Sequence, residues 1–143
     1  MRVLVTGHKG YIGSVMVPLL VEAGHEVVGL DMGLYEACSF GDRRQDIAGV
    51  RLDIRNVEPR HLEGFEAVVH LAALSNDPLG DLDPQLTYDI NHGASVRLAR
   101  GARQAGVEPV TRGWRAMRRS LLALPLALVV AGAWTPATAQ SRD

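Results

Sequence analysis

Uninterrupted apolar runs recur along the chain and predict the strands of a buried sheet. The first run directly follows the N-terminus and shows no alternation of polar and apolar residues, as in strands covered on both faces of a parallel sheet. The second run ends in a carboxylate, the third is shorter and weaker, and the fourth is nearly as strand-like as the first. These predicted strands span Met1–Thr6, Glu26–Asp31, Val50–Asp53 and Ala67–Ala73.

Between these runs, apolar residues recur at three- and four-residue spacing and predict helices. The first helix is expected over Tyr11–Ala23, with Pro18 bending it and Gly24 ending it. A long helix, capped by Asp83, is expected over Pro84–Gln104, with proline at its first position. The predicted inward positions are Ile12, Val15, Met16, Leu19 and Leu20 in the first helix, and Leu86, Ile90, Val96, Leu98 and Ala102 in the long one.

The order of these elements predicts an α/β fold. Strand, helix, strand, strand and helix in succession require right-handed crossovers, which give a doubly wound parallel sheet. We expect the strands in the spatial order 3-2-1-4, with a short helix near Pro59–Leu62 before the fourth. The regular pattern stops after Glu108. The sheet is therefore expected to be truncated after about four strands, and its open edge at Ala67–Ala73 is an expected aggregation site.

Three glycines join the first strand to the first helix. The segment Thr6–Gly13 reads TGHKGYIG and has the spacing Gly-x-x-Gly-x-x-Gly. One glycine permits a tight turn, one lets the backbone approach a pyrophosphate, and one lets the helix pack close to the strand. The helix start presents unpaired N–H groups to the phosphates. Because the loop follows a buried strand and opens a helix, it predicts a dinucleotide site, although a structural turn would also explain the glycines alone.

A carboxylate ends the second strand, eighteen residues after the last glycine of the loop. Asp31 can accept hydrogen bonds there from the hydroxyls of the adenosine ribose. A carboxylate at this point repels a 2′-phosphate, so the sequence favours NAD over NADP. Lys9 is near enough in sequence to contact a phosphate, which weakens that preference. The alternative interpretation of Asp31 is an ordinary solvated acid in a turn.

With these residues the chain resembles the extended short-chain dehydrogenase/reductase family, the NAD-dependent epimerases and dehydratases. The loop Thr6–Gly13 matches the family's glycine motif, and Asp53–Ile54 is similar to the acidic and apolar pair at its adenine pocket. His70–Ala73 resembles the segment that runs along the cofactor, and Tyr88–Asn91 resembles a helix with a structurally important asparagine. The resemblance covers residues 1–108 and implies the N-terminal portion of a Rossmann domain that binds NAD.

The resemblance implies cofactor contacts at the matching positions of this chain. Gly7, Gly10 and Gly13 of the loop would hold the pyrophosphate. Asp31 would bind the ribose, and the pair Asp53–Ile54 would border the adenine. His70 is interpreted as a satisfied buried histidine without a role in proton transfer, and for Asp53 a turn cap is the alternative. No metal site is predicted. The predicted cofactor-binding residues are Gly7, Lys9, Gly10, Tyr11, Ile12, Gly13, Asp31, Asp53, Ile54, Leu71, Ala72, Ala73 and Asn91.

The residues that the resemblance implies for catalysis are missing from the sequence. Family enzymes oxidise a sugar hydroxyl with a tyrosine base in a Tyr-x-x-x-Lys pair, whose lysine lowers the tyrosine pKa. Tyr11, Tyr35 and Tyr88 are followed four residues later by valine, serine and histidine, and Lys9 precedes them all. We therefore expect the NAD-binding portion of a nucleotide-sugar epimerase or dehydratase, inactive alone or completed by a separate polypeptide.

Charge is divided unevenly along the chain and sets the C-terminal segment apart. Residues 1–108 carry nine Arg and one Lys against fifteen acidic residues, a net charge of −5. Residues 109–143 carry five Arg against one acidic residue, a net charge of +4. Nucleic-acid binding is not expected, because no basic stripe with interleaved aromatic residues is present. The single cysteine, Cys38, excludes an internal disulfide and a cysteine-rich zinc site.

The segment 109–143 departs from the family pattern and resembles a secretory signal peptide at residues 117–139. A basic start, the apolar stretch Leu121–Trp134 and Ala-x-Ala before Gln140 make up this pattern. Three interpretations are open: a fused or frameshifted coding segment, a membrane anchor that leaves residues 1–108 in the cytoplasm, and an apolar helix covering the open sheet edge. The anchor would make the chain a membrane-tethered nucleotide-binding or interaction module without enzymatic activity.

Overall fold

In the part of the chain that the structure describes, four parallel strands form one sheet, and the strand nearest the N-terminus lies inside it. The computed structural model describes residues 1–34, 46–75 and 82–107. Its strands are β1 (Arg2–Thr6), β2 (Glu26–Asp31), β3 (Gly49–Arg51) and β4 (Ala67–His70). β1 pairs with β2 on one side and with β4 on the other, and β3 lies beyond β2. The predicted order 3-2-1-4 is therefore confirmed.

Helical segments connect the strands and cover both faces of the sheet. α1 (Tyr11–Glu22) leads from β1 to β2, and Gly24 follows it with a φ of 80°. Two short 3₁₀ turns lie between β3 and β4. The long helix consists of α2, a π-helical turn and α3, so the α/β, doubly wound arrangement expected from the sequence is confirmed. The 3₁₀ turns span Ile54–Asn56 and Pro59–Leu62, and the long helix comprises Pro84–Tyr88 (α2), Asp89–Gly93 (the π-turn) and Ala94–Gln104 (α3).

Alternate residues of each strand point to opposite faces, and each face carries its own apolar core. On one face the strands pack against the long helix, where Leu98 of α3 is buried and Ile90 of the π-turn and Ala102 of α3 pack against the core. On the other face they pack against α1. The strand residues facing α3 are Leu4, Val28, Leu30 and Val68, and those facing α1 are Val3, Val5, Val27, Ala67 and Val69.

The inward face of α1 differs from the sequence prediction. Ile12 is 59% and Val15 56% exposed, although their spacing predicts burial. A Cβ at Gly13 would lie 2.5 Å from the carbonyl oxygen of His8, so this side of the helix packs directly on the preceding loop. The closest backbone contact thus sets the rotation of the helix. The buried residues of α1 are Gly13, Val17 and Leu20.

β4 ends at His70, although its apolar run continues to Ala73. The amide of Leu71 is divided between the carbonyl and the hydroxyl of Thr6, at 3.1 and 3.2 Å. The amide of Ala72 donates to the same hydroxyl at 3.3 Å. The Thr6 hydroxyl of β1 thus accepts hydrogen bonds from the chain after β4, and the regular ladder between the two strands stops at His70.

In the part of the chain that the structure describes, no helix is long and apolar enough to cross a membrane. The same ranges contain no group of three His, Cys, Asp or Glu side chains arranged to hold a metal ion. The predictions for the tail, including the signal-peptide-like stretch 117–139 and the apolar covering helix, fall outside the described residues.

Gly29 in β2 has no room for a side chain because the imidazole ring of His8 lies against it. A Cβ at Gly29 would lie 2.4 Å from Cε1 of His8. Gly29→Ala is therefore expected to lower the free energy of unfolding by about 1–3 kcal/mol, the usual cost of overpacking. Urea unfolding of the 143-residue chain, followed by circular dichroism, measures this loss.

Gly49→Ala is the matched control in the neighbouring strand. A Cβ at Gly49 would lie 3.6 Å from Nε2 of the same His8 ring, an ordinary contact distance. This substitution is expected to change the free energy of unfolding by less than about 0.5 kcal/mol. Adding His8→Ala to Gly29→Ala removes the overlap and should recover part of the loss. Equal losses for the two glycine substitutions would contradict the prediction.

Candidate functional site

The carboxyl ends of β1, β2 and β4 meet at one edge of the sheet. Thr6, Asp31 and His70 are the last residues of these three strands. The chain leaves β1 toward β2 on one side, and β4 lies on the other, so this edge contains the point where the strand order reverses. Ligands of open parallel sheets bind in the crevice at such a point. The predicted site residues that follow β1 and β4 are therefore brought together here.

Gly7 turns the chain out of β1 and touches the segment that follows β4. Its φ is 71°, and its amide donates to the carbonyl of Leu30 at 2.8 Å. A Cβ on Gly7 would lie 2.7 Å from the backbone nitrogen of Ala72, closer than side-chain atoms approach. Glycine is required both for the left-handed backbone angle and for this contact.

The start of α1 offers backbone amides without a side-chain cap. Gly10 is the N-cap residue; its amide donates to the Gly7 carbonyl at 3.0 Å, and its carbonyl accepts from the Ser14 amide at 2.9 Å. The amides of the first helical residues, Tyr11 and Ile12, point out of the helix at the positive end of its dipole. Their side chains are 89% and 59% exposed beside the loop. This arrangement suits an anion.

The carboxylate of Asp31 is held beside the glycine loop by two backbone amides. Its Oδ2 accepts from the amide of Lys9 at 3.0 Å, and its Oδ1 accepts from the amide of Gly33 at 2.7 Å. A carboxylate has about four acceptor sites, so each oxygen keeps capacity for a further donor. The half-buried carboxylate is thus oriented and can still accept hydrogen bonds from a ligand.

Asn91 holds the segment after β4 from the long helix. Its side-chain oxygen accepts from the amide of Leu74 at 2.8 Å, and its side-chain nitrogen donates to the carbonyl of Leu74 at 2.7 Å. Asn91 lies in the π-helical turn, a distortion found frequently at functional sites. The double hydrogen bond explains an asparagine in mid-helix, where the residue is otherwise unfavourable. In the segment that Asn91 holds, Leu71 and Ala72 are half-buried and Ala73 is exposed.

His70 contacts hydroxyl groups through both ring nitrogens, in agreement with its interpretation as a satisfied histidine. Its Nδ1 lies 2.7 Å from the Thr6 hydroxyl, and its Nε2 lies 2.8 Å from the Ser95 hydroxyl. Burial lowers the pKa of His70 below its ordinary value, so the imidazole is neutral at pH 7. Ser95 is not among the residues predicted for the site. Its one sequence signal is its position four residues after Asn91, on the same helix face.

Asp53 and Ile54 serve the fold at the end of β3. The Asp53 carboxylate accepts from the Arg55 amide at 2.8 Å and pairs with the Arg55 guanidinium at 2.6 Å. The side-chain hydrogen bond from Arg55 is the main reason that the pKa of Asp53 lies below its usual value. Ile54 is 6% exposed and belongs to the core that faces α3. Asp53 thus caps a turn, and contact of either residue with an adenine stays a prediction.

The sequence that builds this site matches a known protein family. A sequence model described as the NAD dependent epimerase/dehydratase family matches residues 3–113. The UDP-glucose 4-epimerase of Mycolicibacterium smegmatis is 37% identical to this chain over 116 residues, which cover 77% of this chain and 37% of that protein.

Solved structures of the same kind share the fold. The UDP-glucose 4-epimerase of Thermus thermophilus in complex with NAD superposes with a TM-score of 0.64 and 35% identity, over 76% of this chain and 35% of that one. The enzyme of Stenotrophomonas maltophila with bound NAD and formylated UDP-arabinopyranose gives 0.66 and 31%, over 76% and 35%. The chain thus spans about a third of the length of these relatives. Because the family model covers most of its sequence, the chain belongs to the NAD dependent epimerase/dehydratase family.

Proposed function

We propose that residues 1–108 bind NAD and represent the N-terminal portion of a nucleotide-sugar epimerase or dehydratase. One observation carries the proposal: the uncapped start of α1 lies next to a carboxylate that the backbone of Lys9 and Gly33 orients. The first feature suits a pyrophosphate and the second a ribose, and the two occur together at the reversal point of the sheet. The two structural relatives that contain NAD support the choice of dinucleotide.

The loop has the shape and the polarity that a pyrophosphate requires. The N-cap residue Gly10 has no side chain that could accept from the amides at the helix start, so these amides are available to phosphate oxygens. The Cβ positions of Gly7 and Gly13 are filled by neighbouring backbone, which keeps the loop compact and lets a ligand approach the main chain. An anion at such a helix end gains about 0.3–1 kcal/mol from the dipole alone. We assign the pyrophosphate to Gly7, Gly10 and Gly13, with Lys9, Tyr11 and Ile12 beside it.

Asp31 is assigned to the hydroxyls of the adenosine ribose. Its oxygens each accept one backbone amide, and their remaining lone pairs can accept from the two hydroxyls of the ribose. A phosphate on the 2′ oxygen would bring like charges together in a half-buried place. NAD is therefore proposed in preference to NADP.

The remaining predicted contacts follow the end of β4. We propose that Leu71, Ala72 and Ala73 run along the cofactor and that Asn91 supports them through the backbone of Leu74. For Asp53 and Ile54 we propose an adenine edge formed by the turn that Asp53 caps. Both residues would then act mainly by shape, because Arg55 already occupies the carboxylate.

In a nucleotide-sugar epimerase or dehydratase, bound NAD would supply the oxidant for the sugar carbon that bears a hydroxyl, and a protein base would take the proton of that hydroxyl. The residues described here can bind and orient such a cofactor, but His70 does not supply a base, because its nitrogens are engaged by Thr6 and Ser95. The sequence contains no Tyr-x-x-x-Lys pair. We propose that the 143-residue chain alone binds NAD without turning over a nucleotide sugar.

Substitution of Asp31 tests the cofactor assignment. Asp31→Ala removes the carboxylate that accepts the ribose hydroxyls, and NAD affinity is expected to fall about tenfold or more, as for loss of hydrogen bonds to a charged group. Asp31→Asn keeps the shape and removes the charge, so it should narrow the preference for NAD over NADP. Isothermal titration calorimetry with each dinucleotide measures both effects.

Glu63→Gln provides the matched control for charge. Glu63 is exposed and precedes β4, at the opposite edge of the sheet, so its loss changes the net charge equally without reaching the site. NAD affinity should be unchanged in this variant. Equal affinity in Asp31→Ala and in the unsubstituted chain would show that the ribose assignment is wrong, and absence of NAD binding to the unsubstituted chain would overturn the proposed function.

The proposed lack of turnover is tested directly with the purified chain. Incubation with NAD and UDP-glucose is expected to yield no 4-epimer above the reaction without protein, because no tyrosine and lysine pair is present to move the hydroxyl proton. Chromatography of the nucleotide sugars measures the product, and the Mycolicibacterium smegmatis epimerase serves as the positive control. Steady formation of the epimer by the chain alone would contradict this prediction.

A further inference from the structure

A continuous chain of hydrogen bonds crosses from β1 through β4 to α3 beneath the proposed cofactor site. The amides of Leu71 and Ala72 donate to the Thr6 hydroxyl, which lies 2.7 Å from His70 Nδ1. The Nε2 of His70 lies 2.8 Å from the Ser95 hydroxyl. The Ser95 hydroxyl in turn donates to the carbonyl of residue 91 at 2.6 Å.

The donor and the acceptor of every hydrogen bond in this series follow from the bond that Ser95 makes. The Ser95 hydroxyl oxygen and the Asn91 carbonyl oxygen lie 2.6 Å apart, so a proton must lie between them. A carbonyl has no proton, so the Ser95 hydroxyl donates its only proton to this bond. Ser95 can then only accept from His70, and Nε2 must carry a hydrogen. In the neutral ring Nδ1 is consequently an acceptor, and the Thr6 hydroxyl donates to it. Both lone pairs of Thr6 are left for the two amides.

The burial of Thr6 disfavours any other pattern of these hydrogen bonds. Its side chain is 0% exposed, so water cannot replace a lost partner. With His70 Nδ1 protonated instead, the ring and the two amides would all donate to one hydroxyl, whose own proton would have no acceptor here. A buried donor or acceptor without a partner costs about 1–3 kcal/mol. The observed set of contacts therefore favours a single tautomer.

We infer that His70 is a positioning residue, which in its Nε2–H tautomer fixes the Thr6 hydroxyl and through it the Leu71–Ala72 backbone against Gly7. The inference rests on the proposed function in one respect, since this backbone is the segment expected to follow NAD. The His70 side chain itself lies between the hydroxyls of Thr6 and Ser95 and exchanges no proton with a ligand.

The packing shows why this backbone needs such support. The Ala72 nitrogen lies 2.7 Å from the place of a Gly7 Cβ, so the segment can lie this close only against a glycine, and a shift away would open the loop. Asn91 fixes the next part of the segment at Leu74, and its carbonyl is also the acceptor at the end of the chain of hydrogen bonds. One helical turn thus holds the segment at two places.

A measurement without ligand tests the tautomer. Nitrogen-15 NMR of the His70 ring at pH 7 should show one protonated nitrogen, Nε2, and one unprotonated nitrogen, Nδ1. The free side chain exchanges rapidly between both forms, and neither the free state nor an Nδ1–H ring would give this result. Either of those spectra would overturn the inference, whether or not the chain binds NAD.

Substitution of Ser95 tests the positioning role. Ser95→Ala removes the acceptor that fixes the ring, and hydrogen exchange at Leu71 and Ala72 is expected to become about tenfold faster, the effect of weakening one buried hydrogen bond. Ser95→Thr keeps the hydroxyl and should restore slow exchange. Thr87→Ala is the matched control, because the Thr87 hydroxyl also donates to the carbonyl four residues earlier on the same helix and, among the described residues, contacts no histidine.

NAD titration of the same proteins separates the two proposals. If the unsubstituted chain binds NAD, affinity should fall about tenfold in Ser95→Ala and recover in Ser95→Thr, while Thr87→Ala leaves it unchanged. Equal hydrogen exchange and equal affinity in Ser95→Ala and Thr87→Ala would overturn the positioning role and leave NAD binding intact. Absence of NAD binding to the unsubstituted chain, with the exchange differences present, would overturn the proposed function alone.

Discussion

The direct contact between the backbones of Gly7 and Ala72 is the constraint on which the rest of the site depends. A side chain at Gly7 would overlap the Ala72 nitrogen, so the two segments can meet only if position 7 is a glycine. They can meet at all only because β1 and β4 are neighbouring parallel strands that end at the same edge. The contact between Gly7 and Ala72 therefore requires both the glycine in the loop and the neighbouring positions of β1 and β4. Its result is a site formed largely by main chain, which holds its shape better than flexible side chains do.

Hydrogen bonds of buried and half-buried polar side chains hold the rest of the site in place. Thr6 and His70 lie where the strands end, and their hydrogen bonds hold the chain after β4 once the ladder stops. Asp31 plays a comparable part after β2, since two backbone amides orient its carboxylate. Each polar group is held by partners from different elements. The position of the site is thereby tied to the packing of the whole sheet.

Membership of the NAD dependent epimerase/dehydratase family agrees with this architecture. The part of the chain that matches contains the glycine loop, the Asp31 carboxylate and Asn91, whose side chain holds the backbone of Leu74. The relatives are about three times as long as the span they share with this chain. Binding of a dinucleotide is consequently the step proposed for these residues.

The sequence by itself determined what neighbouring residues encode: the strands and helices, their order, the glycine loop and the acid at the end of β2. Hydrophobic period and turn residues act over a few positions, so such features can be recognised locally. Only the tertiary structure decided which side of α1 is buried and where β4 ends. It also decided the partners of His70, which lie 64 and 25 residues away. Contacts of this kind depend on strand register and helix rotation, which are set by packing and by the closest approach of backbones.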